Sequence, residues 1–467
     1  MNIRQQLRQQ LRQQLRQQLR QQLRQQRRQQ HRLSAGAFTL ILLSSAAHSE
    51  FSSELSSELA WSDAPAALSK AEVQLQSEWQ YRTANTSFNL QPRLRADFSD
   101  TLYAEQPTSR TDNYPAGSLH SSGPLAQWDN VRFDIAEAYA DQYFYGVSLR
   151  SGKQQVVWGQ ADGLRVLDII NPQDMREFNL PDAEDSRIAT WMLNAHIPLP
   201  NEQSLQWLII PDLTFSELTE PGTAFAITSP ELAPQPVAGV TVNRLPTRRP
   251  EGSDWEHGLR WSAFLAGWDI SASYFNFYHD TPVIYRTLNT GGNNLQVDVE
   301  AVYRRSHLLG LSASTAFSSV VLRLEAGHTS RAFFLRDDLQ SNGISQSPEL
   351  ATVTALDYQA PADVFVSYQF YQSRILVYRP QIIRREISTR HTLLLKKTLL
   401  NDTLELSFFA LLNRDYNDGQ LRSKVSYQLN DRWSLWSGAD YFFGDRAGPF
   451  GQFSSSSRIL IGWQNAF

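Results

Sequence analysis

Ten charged side chains fall between Asp162 and Arg187: Asp162, Arg165, Asp168, Asp174, Arg176, Glu177, Asp182, Glu184, Asp185 and Arg187. Leu164, Val166, Leu167, Ile169, Ile170 and Phe178 stand among them. A plain surface loop accounts for the charge but not for the aliphatics. A segment that buries one face and turns charges of both signs toward a water-filled bore accounts for both. Such a segment would form a constriction, with an ordinary surface loop as the alternative. Just upstream, Arg150, Gln154 and Trp158 share one parity of a strand-like stretch. The candidate constriction is therefore Arg150, Gln154, Trp158, Asp162, Arg165, Asp168, Asn171, Asp174 and Arg176. Asn171 before Pro172 reads as the N-cap of a short helix.

Catalytic patterns were sought beside it. The chain has no Cys, which excludes a disulfide scaffold, a thiol nucleophile and a thiolate metal site. No Gly-x-Ser-x-Gly, phosphate loop or His-Glu-x-x-His occurs, and the nine His, among them His257, His279, His307, His328 and His391, lack ligand spacing. The expectation is a protein with no catalytic residue, no cofactor and no metal, with a carboxylate pair assembled across strands as the alternative. Arg374, Arg379, Arg384, Arg385 and Arg390 lie close together with Tyr371 and Tyr378 nearby. They read either as a rim that pairs with anionic lipopolysaccharide or as a basic ladder inside the bore.

The elements that must carry these residues have period two. Trp433, Leu435, Ser437, Ala439, Tyr441 and Phe443 alternate with Ser434, Trp436, Gly438, Asp440 and Phe442. Leu404, Leu406, Phe408 and Ala410, then Val364, Val366, Tyr368 and Phe370, repeat the pattern. Val73, Leu75, Ser77, Trp79 and Tyr81 oppose Gln74, Gln76, Glu78 and Gln80. Ile459, Ile461, Trp463 and Phe467 end the chain on an aromatic, a terminus similar to the outer-membrane assembly signal. Segments of about ten residues, tilted, match the hydrocarbon thickness. Connections fall into two classes. Tight ones lie at 200–203, 360–363, 400–403 and 429–432, and long polar ones near 106–128, 159–187, 213–253, 279–303, 330–350, 372–386 and 444–453. The fold class predicted is all-β, a transmembrane antiparallel β-barrel of about 16 strands (range 14–18), with short periplasmic turns, long extracellular loops and a lumenal plug at 159–187.

The N-terminus is a separate matter. Nine of the 43 Lys and Arg precede residue 50 and none of the 47 acids do, so the remainder carries 34 basic against 47 acidic residues. That balance speaks against nucleic acid as a partner. A basic stretch through Arg32, an apolar core over 35–47 and small residues at Ala47 and Ser49 predict a secretory signal peptide over 1–49. Residues 50–70, with a doubled Ser-Ser-Glu-Leu, read as a low-complexity mature end, and 71–467 as the barrel.

The run Gly152, Gln154, Trp158, Gly159, Asn171, Pro172 and Asp174, with Phe133 to Tyr139 upstream, resembles an uncharacterised Gram-negative outer-membrane family, domain of unknown function thirteen-oh-two. Lys153 stands where that family usually has Arg, which keeps the charge and loses the bidentate fork. The resemblance implies an integral outer-membrane barrel and, as partners, outer-membrane lipid with lipopolysaccharide, a periplasmic lipoprotein and an inner-membrane exporter of the resistance-nodulation-division type. A remoter likeness is to alginate-export and fatty-acid porins. Trp158, Phe409, Trp436 and Phe442 fall on the inward parity. Aromatics there either pack the plug or, left bare, predict a conduit for a lipid-like molecule, with a general diffusion or anion-selective porin, an outer-membrane enzyme and an adhesin as the alternatives.

Overall fold

The computed structural model describes residues 48–62, 67–99, 122–128, 130–161, 163–219, 223–235, 240–250, 254–289, 296–338 and 341–467. Its strands in chain order are β1 (His48–Ser62), β2 (Ala67–Arg82), β3 (Thr86–Asp97), β4 (Ala126–Trp128), β5 (Val131–Phe144), β6 (Val147–Gln154), β7 (Thr190–Leu199) and β8 (Gln203–Ile210). Next come β9 (Thr241–Arg244), β10 (Glu256–Leu265), β11 (Trp268–Tyr278), β12 (Val283–Asn289), β13 (Gln296–Val302), β14 (Arg305–Phe317) and β15 (Val320–Leu335). The last are β16 (Ile344–Ala360), β17 (Val364–Ile375), β18 (Ile387–Leu399), β19 (Leu404–Asn413), β20 (Asp418–Gln428), β21 (Trp433–Phe443) and β22 (Arg458–Ala466).

Each barrel strand pairs antiparallel with its neighbours, and β1 pairs with both β2 and β22, which closes the sheet. The pairing extends to Phe467, which exchanges both backbone hydrogen bonds with Ser53. Eighteen strands make the barrel, two more than the sixteen expected, and β4 is an extra three-residue strand on β5. Closure leaves no edge, the condition for a sheet to sit in hydrocarbon. The alternation seen in sequence is what the wall uses. Phe51, Leu75, Trp79, Leu311, Leu356, Leu435 and Ile461 are exposed on the outer face, whereas Ser306, Gln369 and Asp440 are buried on the inner. A soluble protein would reverse this.

One end of the barrel carries only tight turns, of two to four residues, from 83–85 to 429–432. Two of them, Tyr145-Gly146 and Ala266-Gly267, have positive φ at both positions, the turn that matches strand twist and for which glycine is the easy second residue. The other end carries the long connections. Here two expectations are corrected. The connection at 279–303 contains β12 and β13, which join β9 in a small separate sheet. Most of 330–350 is strand, with only 336–343 left between β15 and β16.

The N-terminal boundary also moves. Within residues 50–70, expected to be a loose end before a barrel starting at 71, residues 50–62 belong to β1 and 67–70 to the start of β2, and β1 is the strand that closes the barrel. The basic stretch and apolar core assigned to a signal peptide lie outside the described residues.

Candidate functional site

The connection between β6 and β7, residues 155–189, does not project outward. Its side chains reach inward-facing positions on strands all around the barrel. A single residue ties its neck. The Asn171 Oδ1 accepts the Val156 N–H at 2.7 Å, and its Nδ2 donates to the carbonyls of Gln154 and Ile188 and to Thr190 Oγ1. Both ends of the connection are thereby pinned to its middle. The expected helix at Pro172 is absent, because the Asn171 side chain is spent on this tie and caps nothing. The short helix α1 (Ala183–Ser186) forms later, after Asp182.

From the neck, a chain of amides leads to Trp158. Asn194 Nδ2 donates to Gln154 Oε1, Gln206 Nε2 to Asn194 Oδ1, and Trp158 Nε1 to Gln206 Oε1 at 2.9 Å. The indole is fully buried, with Phe275 edge-on at 5.9 Å. A Cβ on Gly258 would meet it at 2.8 Å, so only glycine lets it seat. The next residues lie in a trough. Ser273, Gly310, Gly327 and Ala351 are in register on β11, β14, β15 and β16, and all are small. Leu167 and Val166 fill the space above them, where a Cβ on Gly310 would come within 2.6 Å of Leu167 Cδ2. Phe178 packs on Phe450 and Phe453, and Phe225 and Phe442 complete that cluster. Phe409 lies against Gly163. The segment also reaches deep into the β15 wall, where the Gln160 backbone is held by Glu325 and Arg323.

The opposite wall is charged. Glu177 lies between Lys70 of β2 at 2.8 Å and Arg458 of β22 at 2.6 Å. These cations have second acids, Glu58 for Lys70 and Asp440 for Arg458. Asp174 pairs with Arg176 beside it and with Arg95 of β3 at 3.3 Å. Glu217, from the connection after β8, takes both nitrogens of Arg132 on β5 at 2.6 and 2.7 Å and exchanges backbone hydrogen bonds with the segment at Gln173 and Met175. Burial would raise the Glu177 carboxyl, but Lys70 and then Arg458 overcome it and hold the pKa at about 2. Burial likewise opposes ionisation of Asp174, and Arg176 with Arg95 keeps it well below the carboxylate range.

The sequence-derived candidates separate into groups. Gln154, Trp158, Asn171, Asp174 and Arg176 are brought together in this segment and its supports. Arg165 and Asp168 work within it: Arg165 donates to the Asp168 and Asn171 carbonyls, and Asp168 accepts Arg187 at 2.7 Å. Asp162 lies outside the described residues. Arg150 stands apart, forked onto Asp141 at 2.7 and 2.9 Å and stacked over Tyr139 at 3.9 Å. It lines a second cavity of about 540 Å³ near the tight turn 83–85. Lys153 donates to the Ile135 and Ser122 carbonyls rather than to a carboxylate, a use that needs no guanidinium fork. Of the five clustered arginines, Arg374 pairs with Glu386 and Arg384 with Glu349, while Arg390 lies over Tyr371 and Phe450.

Between segment and wall a cavity of about 490 Å³ remains, lined by polar residues of β1, β2, β3, β20, β21 and β22 and by Asp182 and Asp185 of the segment. Sequence reading missed Glu177 as a binding member, Glu217 and the glycine trough. Glycines at inward parity, Gly258, Gly310 and Gly327, were the available signal for the last.

A closed barrel with a charge-lined cavity and an inward-folded connection is porin-like. The chain belongs to the family described as "Protein of unknown function (DUF1302)", whose profile matches residues 66–448. No curated protein matches. Among solved structures it is similar to OccAB1 of Acinetobacter baumannii, at 9% identity and TM-score 0.49, over 90% of this chain and 96% of that one. OccAB2 of the same organism is 10% identical with TM-score 0.49, over 90% and 98%. OmpF of Salmonella typhi, in a complex with daunomycin, is 10% identical with TM-score 0.40, over 90% and 97%.

Proposed function

We propose that this chain is a passive outer-membrane channel, exported by its N-terminal signal, whose bore is narrowed by residues 155–189 and passes small polar, charged molecules. One observation carries the reading. The cavity beside the segment and the cavity near the tight turns share the inner face of β1 and β2, on which Glu50, Ser52, Glu54, Ser56 and Glu58 and then Lys70, Glu72, Gln74, Glu78, Gln80 and Arg82 give a polar track between them. An 18-stranded wall is wide enough for an aqueous channel. The lipid-like cargo drew on bare aromatics inside the bore, and most of that support is gone: Trp158 and Phe442 are buried under connections and Phe409 faces Gly163, which leaves Trp436, its Nε1 donating to Glu58, as the one of the four that lines the cavity. Partnership with a lipoprotein or an exporter has no geometric support in its favour, and a passive channel needs neither.

Planar-bilayer recording tests the proposal. The intact protein is expected to show small, steady conductance, and deletion of 162–185 to raise it several-fold in a variant that still shifts on heating in gels. Conductance unchanged by the deletion overturns the narrowing, and no conductance from either protein overturns the channel.

A further inference from the structure

The cavity beside the inserted segment has two unlike sides. Of its basic groups, Lys70, Arg93, Arg95, Arg176, Arg422 and Arg458 each have a carboxylate within 3.4 Å. Lys424 has no such partner among the described residues and is exposed to the cavity; its Nζ lies 5.1 Å from the Trp436 ring centre. Trp436 is fixed, with its Nε1 donating to Glu58 at 2.8 Å and its ring against Gly462, where no Cβ would fit. Leu460 lines the same stretch of β22. Across the space are Asp182 and Asp185, exposed on the segment with no cation paired to them among the described residues. Desolvation in the bore, then repulsion from Asp182 and Glu184, outweighs the weaker pull of Arg93 and Lys424 and holds the Asp185 carboxyl above its ordinary range, so a visiting cation at closer range would relieve it.

Resting on the channel reading above, we propose that this passage selects small zwitterions: a carboxylate met by Lys424, an ammonium met by Asp182 and Asp185, and a compact apolar body that slides over Trp436 and Leu460. A monoanion meets the two acids unbalanced, and a monocation meets Lys424 so. Each mismatch is an exposed like-charge contact, worth up to about fivefold in rate.

Proteoliposomes containing the full-length protein at pH 7 provide the test, with phenylalanine, phenylpropionate and phenethylamine compared against neutral arabinose. Phenylalanine is expected to enter about fivefold faster than either single-charge analogue. Lys424→Gln should bring phenylalanine down to the phenethylamine rate, and the double change Asp182→Asn with Asp185→Asn down to the phenylpropionate rate. Arabinose should be unmoved by both. Equal entry of the three aromatic solutes while arabinose passes, or an order that Lys424→Gln leaves intact, overturns the selection and spares the channel. Exclusion of arabinose together with the rest overturns both.

Discussion

The segment is held on two walls by opposite means. On β10 to β16 the wall mainly supplies absence: Gly258, Gly310 and Gly327 leave room that Trp158, Leu167 and Val166 fill, and its polar hold on the segment is on the Gln160 backbone, through Glu325 and Arg323. On β20 to β5 the wall supplies charge: Lys70, Arg95, Arg132 and Arg458 reach Glu177, Asp174 and Glu217. The contrast teaches a difference in failure. Apolar seating degrades by degrees, since each lost methylene costs a little. A buried ion pair fails in a step, since removing one partner strands the other. Indifference to pH belongs to the glycine trough and sensitivity to the charged wall.

The largest effect is expected from filling the trough. Gly310→Leu places a side chain where Leu167 sits, and there is no slack beside Ser273. The segment must lift, so bilayer conductance should rise several-fold and proteolysis within 163–187 should become fast. Unaltered conductance would show that the trough does not seat the segment. Next comes Glu177→Gln, which leaves Lys70 and Arg458 with one acid each and is expected to weaken docking by about 3 kcal/mol, read as lost hydrogen-exchange protection across 174–187. Leu167→Ala should cost about 2 kcal/mol by the same readout, and the two changes should add, because they act on different walls.

The smallest effect near neutrality, and the sharpest test of the contrast, is acidity. The Glu177 pKa is depressed to about 2, so its stabilisation is complete above the ordinary carboxylate value near 4.5 and is lost as pH falls toward 2. The part of the conductance set by Glu177 should therefore be flat from pH 7 to 5 and rise below about 4. In Glu177→Gln that acid step should shrink, while Leu167→Ala should keep it. A step of equal size in Glu177→Gln would assign the acid response to other carboxylates.

The wall was legible because period two survives in single strands: β2, β21 and β22 show it in side chains alone. β1 hid in plain view. Phe51, Leu55, Leu59 and Trp61 alternate with Glu50, Glu54, Glu58 and Ala60, but the doubled Ser-Ser-Glu-Leu looks like low complexity before a partner strand is known. The site was legible only as a stretch of chain. That 159–187 mixes aliphatics and charges showed in the sequence. Which charge meets which did not, since Glu177 pairs with residues 107 and 281 positions away. Asn171 shows a different limit. Its helix-capping chemistry and its neck-tying chemistry use the same amide, and only the approach of Val156 and Ile188 decides between them.

Glu177 also has a position in time. β1 meets β22 only when some four hundred residues have been laid down, so that pairing closes the largest loop in the molecule and is the slowest contact to find. Lys70 is on β2 and Arg458 on β22, the strands on either side of β1. One carboxylate thus spans the seam and staples it from within. The inward connection cannot complete its grip until the cylinder exists, and the cylinder, once gripped, resists parting along its last-made line. Docking the segment and sealing the wall are in this sense a single folding event.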